Sequence, residues 1–251
     1  MKEQYVGDIN DYRKYALLRA LAVSGANRIG VCWMLTPSDT SSDGGKLAYL
    51  SQPDRYRRHD PELFDILAHA AAKSDRRRLQ TIEASGAIPG ARYFNAPLGD
   101  DAQERRAFMT ACADVCAEVD LVFFDPDNGL EVPSVEFGRK GSSKYLYLSE
   151  MRSFYEAGRS VLVYQHFPRK QRDVFIASCV ENLRIVAPDA AIGIYQTSHV
   201  VFLLLIHPNS YGPLGNAARQ AISQWDATFI SGRLIEPGNL SLMHRIIAHF
   251  R

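Results

Sequence analysis

The stretch DLVFFDPDNG, residues 120–129, combines an apolar run with an abrupt polar end. A short apolar run bounded by turn residues is typical of a strand that is covered on both faces of a sheet. The acid, proline, acid, amide and glycine that follow would then lie at one edge of the sheet. Ligands of open α/β sheets bind beyond the carboxyl ends of such strands. The sequence therefore predicts a functional site around Asp125.

On both sides of this stretch, strand-like and helix-like segments alternate. This alternation is typical of βαβ units and hence of a parallel sheet. Two final strands, joined by three polar residues, predict an antiparallel hairpin. The fold class predicted is α/β, a doubly wound and mostly parallel sheet with a carboxyl-terminal hairpin. The predicted helices are 8–21, 61–73, 101–118, 146–157, 173–186 and 214–229, and the other strands are 28–35, 92–98, 160–164, 190–196 and 200–206.

The length and composition favour one globular domain. The chain has 251 residues, 46% of them hydrophobic and 23% charged, and no Pro/Gly/Ser-rich linker divides it. We predict a single α/β domain over residues 1–251, with a lid or substrate insertion around 46–90. Its oligomeric state stays open.

The charge, the cysteines and the apolar runs predict a cytoplasmic protein. The net charge of +1 argues against a uniformly basic surface for nucleic acid. Cys32, Cys112, Cys116 and Cys179 have neither metal-type nor dense disulfide spacing, which suits a reducing compartment. The apolar run 200–206 is too short for a bilayer, which needs ~20 residues, so no membrane partner is expected.

Two basic clusters allow two interpretations. Arg55, Arg57 and Arg58 surround Tyr56, and three arginines occupy 76–78. Basic residues interleaved with an aromatic side chain bind phosphates and stack on bases. Arginines are also common at solvated helix ends, so the clusters do not decide between RNA or DNA binding and a plain surface.

The amino-terminal segment GDINDYRKYALL, residues 7–18, opens the first predicted helix with polar groups. It resembles the signature of the bacterial large-subunit ribosomal RNA adenine-N6 methyltransferases, a glycine-polar-x-x-Asp-x-x-Lys-aromatic pattern. Asp125-Pro126 stands where that family has Asp-Pro-Pro-Tyr, although Asp127 and Asn128 replace its last two residues. The predicted sheet is likewise similar to the Rossmann-like fold of methyltransferases that bind S-adenosylmethionine.

The resemblance implies S-adenosylmethionine as cofactor and RNA or DNA as partner, with the target base flipped out of its stack. Asp125 and the Pro126 carbonyl would accept hydrogen bonds from an exocyclic amino group, and the loop 36–45 would wrap the methionine part of the cofactor. The predicted catalytic residues are Asp125, Pro126, Asp127, Asn128 and His166. The predicted cofactor-binding residues are Asp8, Tyr12, Lys14, Trp33, Thr36, Asp43, Gly44 and Gly45.

A second hypothesis interprets the acidic residues as metal ligands. Asp125, Asp127, Glu131 and His166 supply oxygen and imidazole groups of the kinds that bind Mg²⁺ or Mn²⁺. Such a site would suit a phosphodiesterase or nuclease that uses a metal-activated water. A third hypothesis is a binding module whose active site has degenerated. Both enzyme hypotheses require Lys14 and Asp125 to meet at the same edge of the sheet.

Overall fold

The computed structural model describes residues 1–22, 27–38, 45–72 and 77–237, to which every structural statement here refers. The helices are α1 (Ile9–Ala22), α2 (Pro53–Tyr56), α3 (Pro61–Ala71), α4 (Leu79–Ala84), α5 (Ala102–Val115), α6 (Leu148–Glu156), α7 (Arg172–Val186) and α8 (Tyr211–Gln224). The strands are β1 (Ile29–Cys32), β2 (Arg92–Phe94), β3 (Leu121–Phe124), β4 (Gly129–Leu130), β5 (Tyr145–Leu146), β6 (Ser160–His166), β7 (Ala191–Gln196), β8 (Val200–Ile206) and β9 (Ser231–Ile235).

Seven of these strands form one mixed sheet in the order β2-β1-β3-β6-β8-β7-β9. The pairs from β2 to β6 are parallel, whereas β8 is antiparallel to both β6 and β7, and β9 is antiparallel to β7. The hairpin β7–β8 is present as expected. The prediction of an α/β fold, mostly parallel with an antiparallel carboxyl-terminal part, is confirmed.

The strand β3 lies inside the sheet, and all four of its residues are buried. Leu121 and Phe123 pack into the core on one face, and Val122 and Phe124 into the core on the other. This is the period of two that a strand imposes on its side chains. Because helices cover both faces, the chain turns polar only where β3 ends, at Asp125.

The helix α1 is buried along almost its whole length, with Tyr12, Tyr15 and Leu18 all fully covered. The segment that was predicted as an insertion, residues 46–90, supplies part of this cover. Its Tyr49 and Phe64 contact the Tyr12 ring at 5.5 and 5.9 Å between centroids. The segment therefore contributes side chains to the core. Its role as a lid or substrate insertion stays a prediction.

The carboxyl-terminal part differs from the prediction in one element. The helix expected over 214–229 ends at Gln224, where Asp226 forms a turn by accepting a hydrogen bond from the Thr228 backbone N–H. The chain then forms β9, a strand that the sequence did not predict. It pairs with β7 and completes the sheet edge.

Among the described helices, none combines the length and the apolar character that crossing a membrane requires.

Candidate functional site

The site lies at the carboxyl ends of β1 and β3, two neighbouring strands inside the sheet. The strand β1 pairs with β2 on one side and with β3 on the other, and all three are parallel. A crevice forms beyond the carboxyl ends of two adjacent parallel strands whose connections diverge, and such crevices bind ligands in open α/β sheets. The ends of β1 and β3 form this crevice here.

A cavity of about 290 Å³ opens beside the crevice. Four parts of the chain build it: the amino-terminal segment with the first turns of α1, the segment at Lys46, the turn after β3, and the end of β6. Its walls are formed by Met1, Tyr5, Asp8, Asn10, Asp11, Lys14, Lys46, Asp125, Pro126, Asp127, Asn128, Tyr164 and His166.

A buried charge cluster forms the floor of the cavity. The Lys14 ammonium donates to Asp11 and to Asp125, with 2.7 Å from Nζ to each carboxylate oxygen. The Lys14 and Asp125 side chains are only 3% and 2% exposed. Both partners of a buried ion pair lose their hydration, so each depends on the other for charge compensation.

The pKa values of this cluster follow from burial and charge. Burial alone would lower the pKa of Lys14, but the carboxylates of Asp11 and Asp125 raise it above its usual value. Burial raises the pKa of Asp125, and the attraction of Lys14 offsets this only in part. Lys14 is therefore a permanent cation whose charge is already balanced within the protein.

Asp8 caps the helix α1 at the rim of the cavity. Its Oδ1 accepts hydrogen bonds from the backbone N–H groups of Asn10 at 2.8 Å and Asp11 at 2.9 Å. Burial, and then the negative charge of Asp11, raise the pKa of Asp8 to about 7. Asp8 is thus a carboxyl group that titrates near neutrality.

Three acceptors in the crevice converge on one ammonium group, that of Met1. Its nitrogen lies 2.8 Å from the Asp125 carbonyl oxygen, 3.2 Å from the Met34 carbonyl oxygen and 2.9 Å from Asp127 Oδ1. The other carboxylate oxygen of Asp127 accepts from the Thr36 hydroxyl at 2.7 Å. Although burial opposes it, the Met1 ammonium and Thr36 hold the pKa of Asp127 below its usual value.

The backbone at the end of β1 is strained. Met34 has φ of 45°, and it is the one non-glycine residue with positive φ among those described. Such a conformation is costly for an unbranched side chain and occurs disproportionately at functional sites. The Met34 carbonyl oxygen, which this turn presents, accepts a hydrogen bond from the Met1 ammonium.

The side chain of Gln165 holds the turn after β3. Its Nε2 donates to the Asn128 carbonyl oxygen at 3.0 Å, and its Oε1 accepts from the Leu130 N–H at 2.7 Å. A Cβ atom on Gly129, which has φ of 121°, would collide with the Gln165 amide at 2.2 Å. Only glycine fits there, so the turn and the end of β6 form one unit.

His166 closes the cavity from the end of β6, with Nε2 lying 3.1 Å from the Tyr164 hydroxyl oxygen. The loss of hydration around the ring, followed by the charges of Lys14 and Lys46, lowers the pKa of His166 to about 4. At neutral pH this imidazole brings no charge to the cavity.

The structure brings most of the predicted site residues together. Asp8, Lys14 and His166 line the cavity with the whole turn 125–128. Thr36 lies one contact behind, bonded to Asp127. Gly45 is exposed next to Lys46, while Asp43 and Gly44 lie outside the described residues.

Two predicted cofactor-binding residues, Tyr12 and Trp33, do not lie at the cavity. Tyr12 is fully buried in the aromatic core and donates its hydroxyl to the Tyr56 carbonyl oxygen at 2.9 Å. Trp33 points into the core of the same sheet face, where its indole N–H donates to Glu83 at 2.9 Å.

Three of the four residues of the metal hypothesis, Asp125, Asp127 and His166, line the cavity. Glu131 is absent from the cavity wall, since its carboxylate accepts from the Leu148 N–H at the start of α6 at 3.1 Å. Within the described residues no three His, Cys, Asp or Glu side chains are placed to hold a metal ion.

Six residues of the cavity were missing from the predicted catalytic and cofactor-binding residues: Met1, Tyr5, Asn10, Asp11, Lys46 and Tyr164. A signal for Asp11 was present in the sequence, because Asp8, Asp11 and Lys14 are spaced by three and share one helix face. The amide of Asn10 contributes a buried Oδ1 with no hydrogen-bond partner among the described residues.

The basic clusters around α2 and before α4 are largely engaged. Arg57 pairs with Asp65 at 2.8 Å and Arg58 with Asp226 at 2.7 Å. Arg77 donates to the Val6 and Gln4 carbonyl oxygens. These arginines offer less positive charge for phosphates than the sequence indicated.

Comparisons with known proteins give little further information. No family model matches the chain, and no curated protein matches it significantly. Among solved structures, it is similar to the crystal structure of protein LPL1258 from Legionella pneumophila str. Philadelphia 1, assigned to family DUF519. That similarity has 7% sequence identity and a TM-score of 0.48, and it covers 93% of this chain and 98% of the other. A similarity of this size does not place the chain in that family.

Proposed function

We propose that this protein transfers a methyl group from S-adenosylmethionine to an exocyclic amino group of a nucleic-acid base. The observation that supports the proposal most directly is the set of acceptors at the ends of β1 and β3. Two carbonyl oxygens and the carboxylate of Asp127 surround the ammonium of a methionine residue there.

The residues of the crevice fit the methionine part of the cofactor. The Met34 and Asp125 carbonyl oxygens and Asp127 would hold its ammonium group, because a buried ammonium needs anionic or carbonyl acceptors. When bound, S-adenosylmethionine supplies an activated methyl group on a positively charged sulfur. Neutral His166 adds no charge that would repel such a cation.

Cofactor binding in this position has a cost. The Met1 ammonium uses the same three acceptors, so it has to leave them before another ammonium binds. The measured affinity would then be the difference between two similar interactions. Recognition of the remaining cofactor groups has to supply the net gain.

The cavity also offers acceptors for an amino group. Asn10 Oδ1 is buried without a partner, and Pro126 lines the same wall. Acceptors placed in this way hold an amino group so that its lone pair faces the methyl donor. The Asp125 carboxylate, by contrast, is committed to Lys14.

A positively charged rim supports nucleic acid as the substrate class. Arg169 and Lys170 lie three and four positions after His166 and are exposed, with no ion pair in the described part of the chain. Arg172 lies close to them in the sequence. Burial lowers the pKa of His199, and the positive charges of Lys46 and Arg172 lower it further. Such a rim attracts phosphates close to the cavity.

Titration calorimetry with three ligands tests this proposal. S-adenosylmethionine should bind at least tenfold more tightly than 5′-methylthioadenosine, which lacks the amino acid part. Asp127→Asn should remove most of this preference, whereas the exposed Asp54→Asn should preserve it. Equal affinities for both nucleosides, or no heat with either, would contradict the proposal. Heat with MgCl₂ alone would instead favour metal-dependent phosphodiester hydrolysis. No heat with any of the three ligands would favour a binding module.

We also propose a cytoplasmic location, because the four cysteines are buried and unpaired. Free thiols of this kind persist in reducing compartments.

A further inference from the structure

A second cavity lies in the groove between α5 and α6. Its volume is about 630 Å³, within the range of small-molecule pockets. Met109 and Phe154 form an apolar floor, and Ala113 and Phe137 line the sides. The cavity shares no wall residue with the site at the ends of β1 and β3.

Two arginines, Arg106 and Arg159, line this groove. Neither Arg106 nor Arg159 forms an ion pair within the described residues. The Arg159 Nε–H is buried and lacks any hydrogen-bond partner. A buried donor of this kind is costly unless a ligand or water satisfies it.

The acid in the groove does not compensate these charges. Glu150 accepts from Arg105 through both carboxylate oxygens, at 2.5 and 2.8 Å, and from the Tyr147 N–H at 3.0 Å. Its charge is therefore balanced by Arg105. The groove keeps a positive potential above an apolar floor.

Aromatic rings orient both guanidinium groups. The Arg106 guanidinium carbon lies 5.5 Å from the Phe137 ring centre, and that of Arg159 lies 5.9 Å from the Phe154 ring centre. A guanidinium that packs on a ring still presents donors along its edge to a planar anion. In Arg159, Nη2 already donates to the Ala117 carbonyl oxygen at 3.4 Å, whereas Nε has no partner among the described residues. Carboxylates match that edge through two parallel hydrogen bonds.

We propose that the groove between α5 and α6 binds a small aromatic carboxylate, with its ring on Met109 and Phe154 and its carboxylate between Arg106 and Arg159. The apolar floor accounts for the ring, and the two arginines, which form no ion pair in the described part of the chain, account for the negative charge. This site is independent of the proposed methyl transfer.

The test uses 1-naphthoate and its neutral isostere 1-naphthamide as probes. In calorimetry with the full chain, naphthoate should bind at least tenfold more tightly than naphthamide. In ¹H–¹⁵N spectra, naphthoate should shift the amide signals of Ala113 and Ala157, which border the groove. These shifts locate the binding independently of the affinity.

Variants decide whether the arginines carry the selectivity. Arg159→Gln and Arg106→Gln should each remove most of the preference for the acid, and the exposed Arg55→Gln should preserve it. Circular dichroism would show that each variant is folded. Equal affinity for acid and amide, no binding of naphthoate, or an unchanged preference in Arg159→Gln would overturn the proposal.

Discussion

The Lys14 ammonium lies 2.7 Å from the Asp125 carboxylate, although 111 positions separate the two residues in the chain. Lys14 belongs to the helix that precedes the sheet, and Asp125 follows its central strand. Their contact joins the first helix, the β3 turn and the cavity in one buried unit. The convergence that both enzyme hypotheses required is confirmed.

Replacement of Lys14 by Met should strongly destabilise the protein. The substitution leaves Asp11 and Asp125 buried as adjacent carboxyl groups without the cation that they share. Removing one partner of a buried ion pair typically costs about 3–5 kcal/mol. Guanidinium chloride unfolding at pH 7 would measure the loss.

Lys46→Met is the matched control for this change, since Lys46 borders the same cavity but is exposed. It should alter the free energy of unfolding by no more than about 0.5 kcal/mol. Equal losses in the two variants would show that the buried pair contributes nothing to stability.

The position of β3 and of Lys14 was predictable because both depend on strong local patterns. An apolar run that ends in Asp-Pro is hard to place anywhere except inside a sheet. The spacing of Asp8, Asp11 and Lys14 also places three polar groups on one face of α1. The sequence therefore contained enough information for the core of the site.

Tyr12 and Trp33 lie away from the cavity for a common geometric reason. Successive helix positions are about 100° apart, so Tyr12 points away from the face that carries Asp11 and Lys14. Strand side chains alternate between faces, and Trp33 points to the core side with Val31. Among residues that are close to a site in sequence, some therefore point away from it at regular intervals.

Other features had no local signal. The sequence of β9 begins Ser-Gly-Arg, and most of its residues are only half-buried, so neither burial nor strand propensity marks it. The approach of Met1 to Met34 and Asp127 depends on tertiary contacts between distant residues. Such contacts leave no periodicity in a sequence.

Asp8 should make the protein less stable as the pH rises towards neutrality. Its pKa is raised from 3.8 to about 7, so the folded protein binds this proton more tightly than the unfolded chain. The free energy of unfolding therefore falls between these two pH values, by a few kcal/mol if each pH unit contributes ~1.4 kcal/mol. Asp8→Asn keeps a helix cap but cannot ionise.

Urea unfolding at several pH values would compare this variant with the native protein. The difference in stability between them should grow in favour of Asp8→Asn from pH 4 to pH 7. Asp54→Asn removes an exposed carboxylate from α2 and controls for the change in net charge. A pH-independent difference between Asp8→Asn and the native protein would refute this assignment.

The pair Arg105–Glu150 should be costly to break and much less costly to replace. Arg105 is fully buried, and it also donates to the Ser142 carbonyl oxygen at 2.9 Å. Arg105→Met leaves Glu150 as an uncompensated buried charge and should cost about 3–5 kcal/mol. The double variant with Glu150→Met should recover part of this loss in guanidinium chloride unfolding. Additive losses from the two single variants would show that the side chains are not coupled.

His166 should titrate far below the usual range of histidine. Its pKa is lowered to about 4, since hydration is lost and the cations Lys14 and Lys46 are near. ¹H NMR of the imidazole signals, assigned with His166→Gln, should give a midpoint about two pH units below the ordinary histidine value of ~6.5. The nearby cations account for part of this shift, so Lys46→Gln should raise the midpoint while Arg55→Gln leaves it unchanged. A midpoint near the ordinary value in the native protein would mean that His166 is charged at mildly acidic pH, and the cavity would then repel a cationic cofactor there.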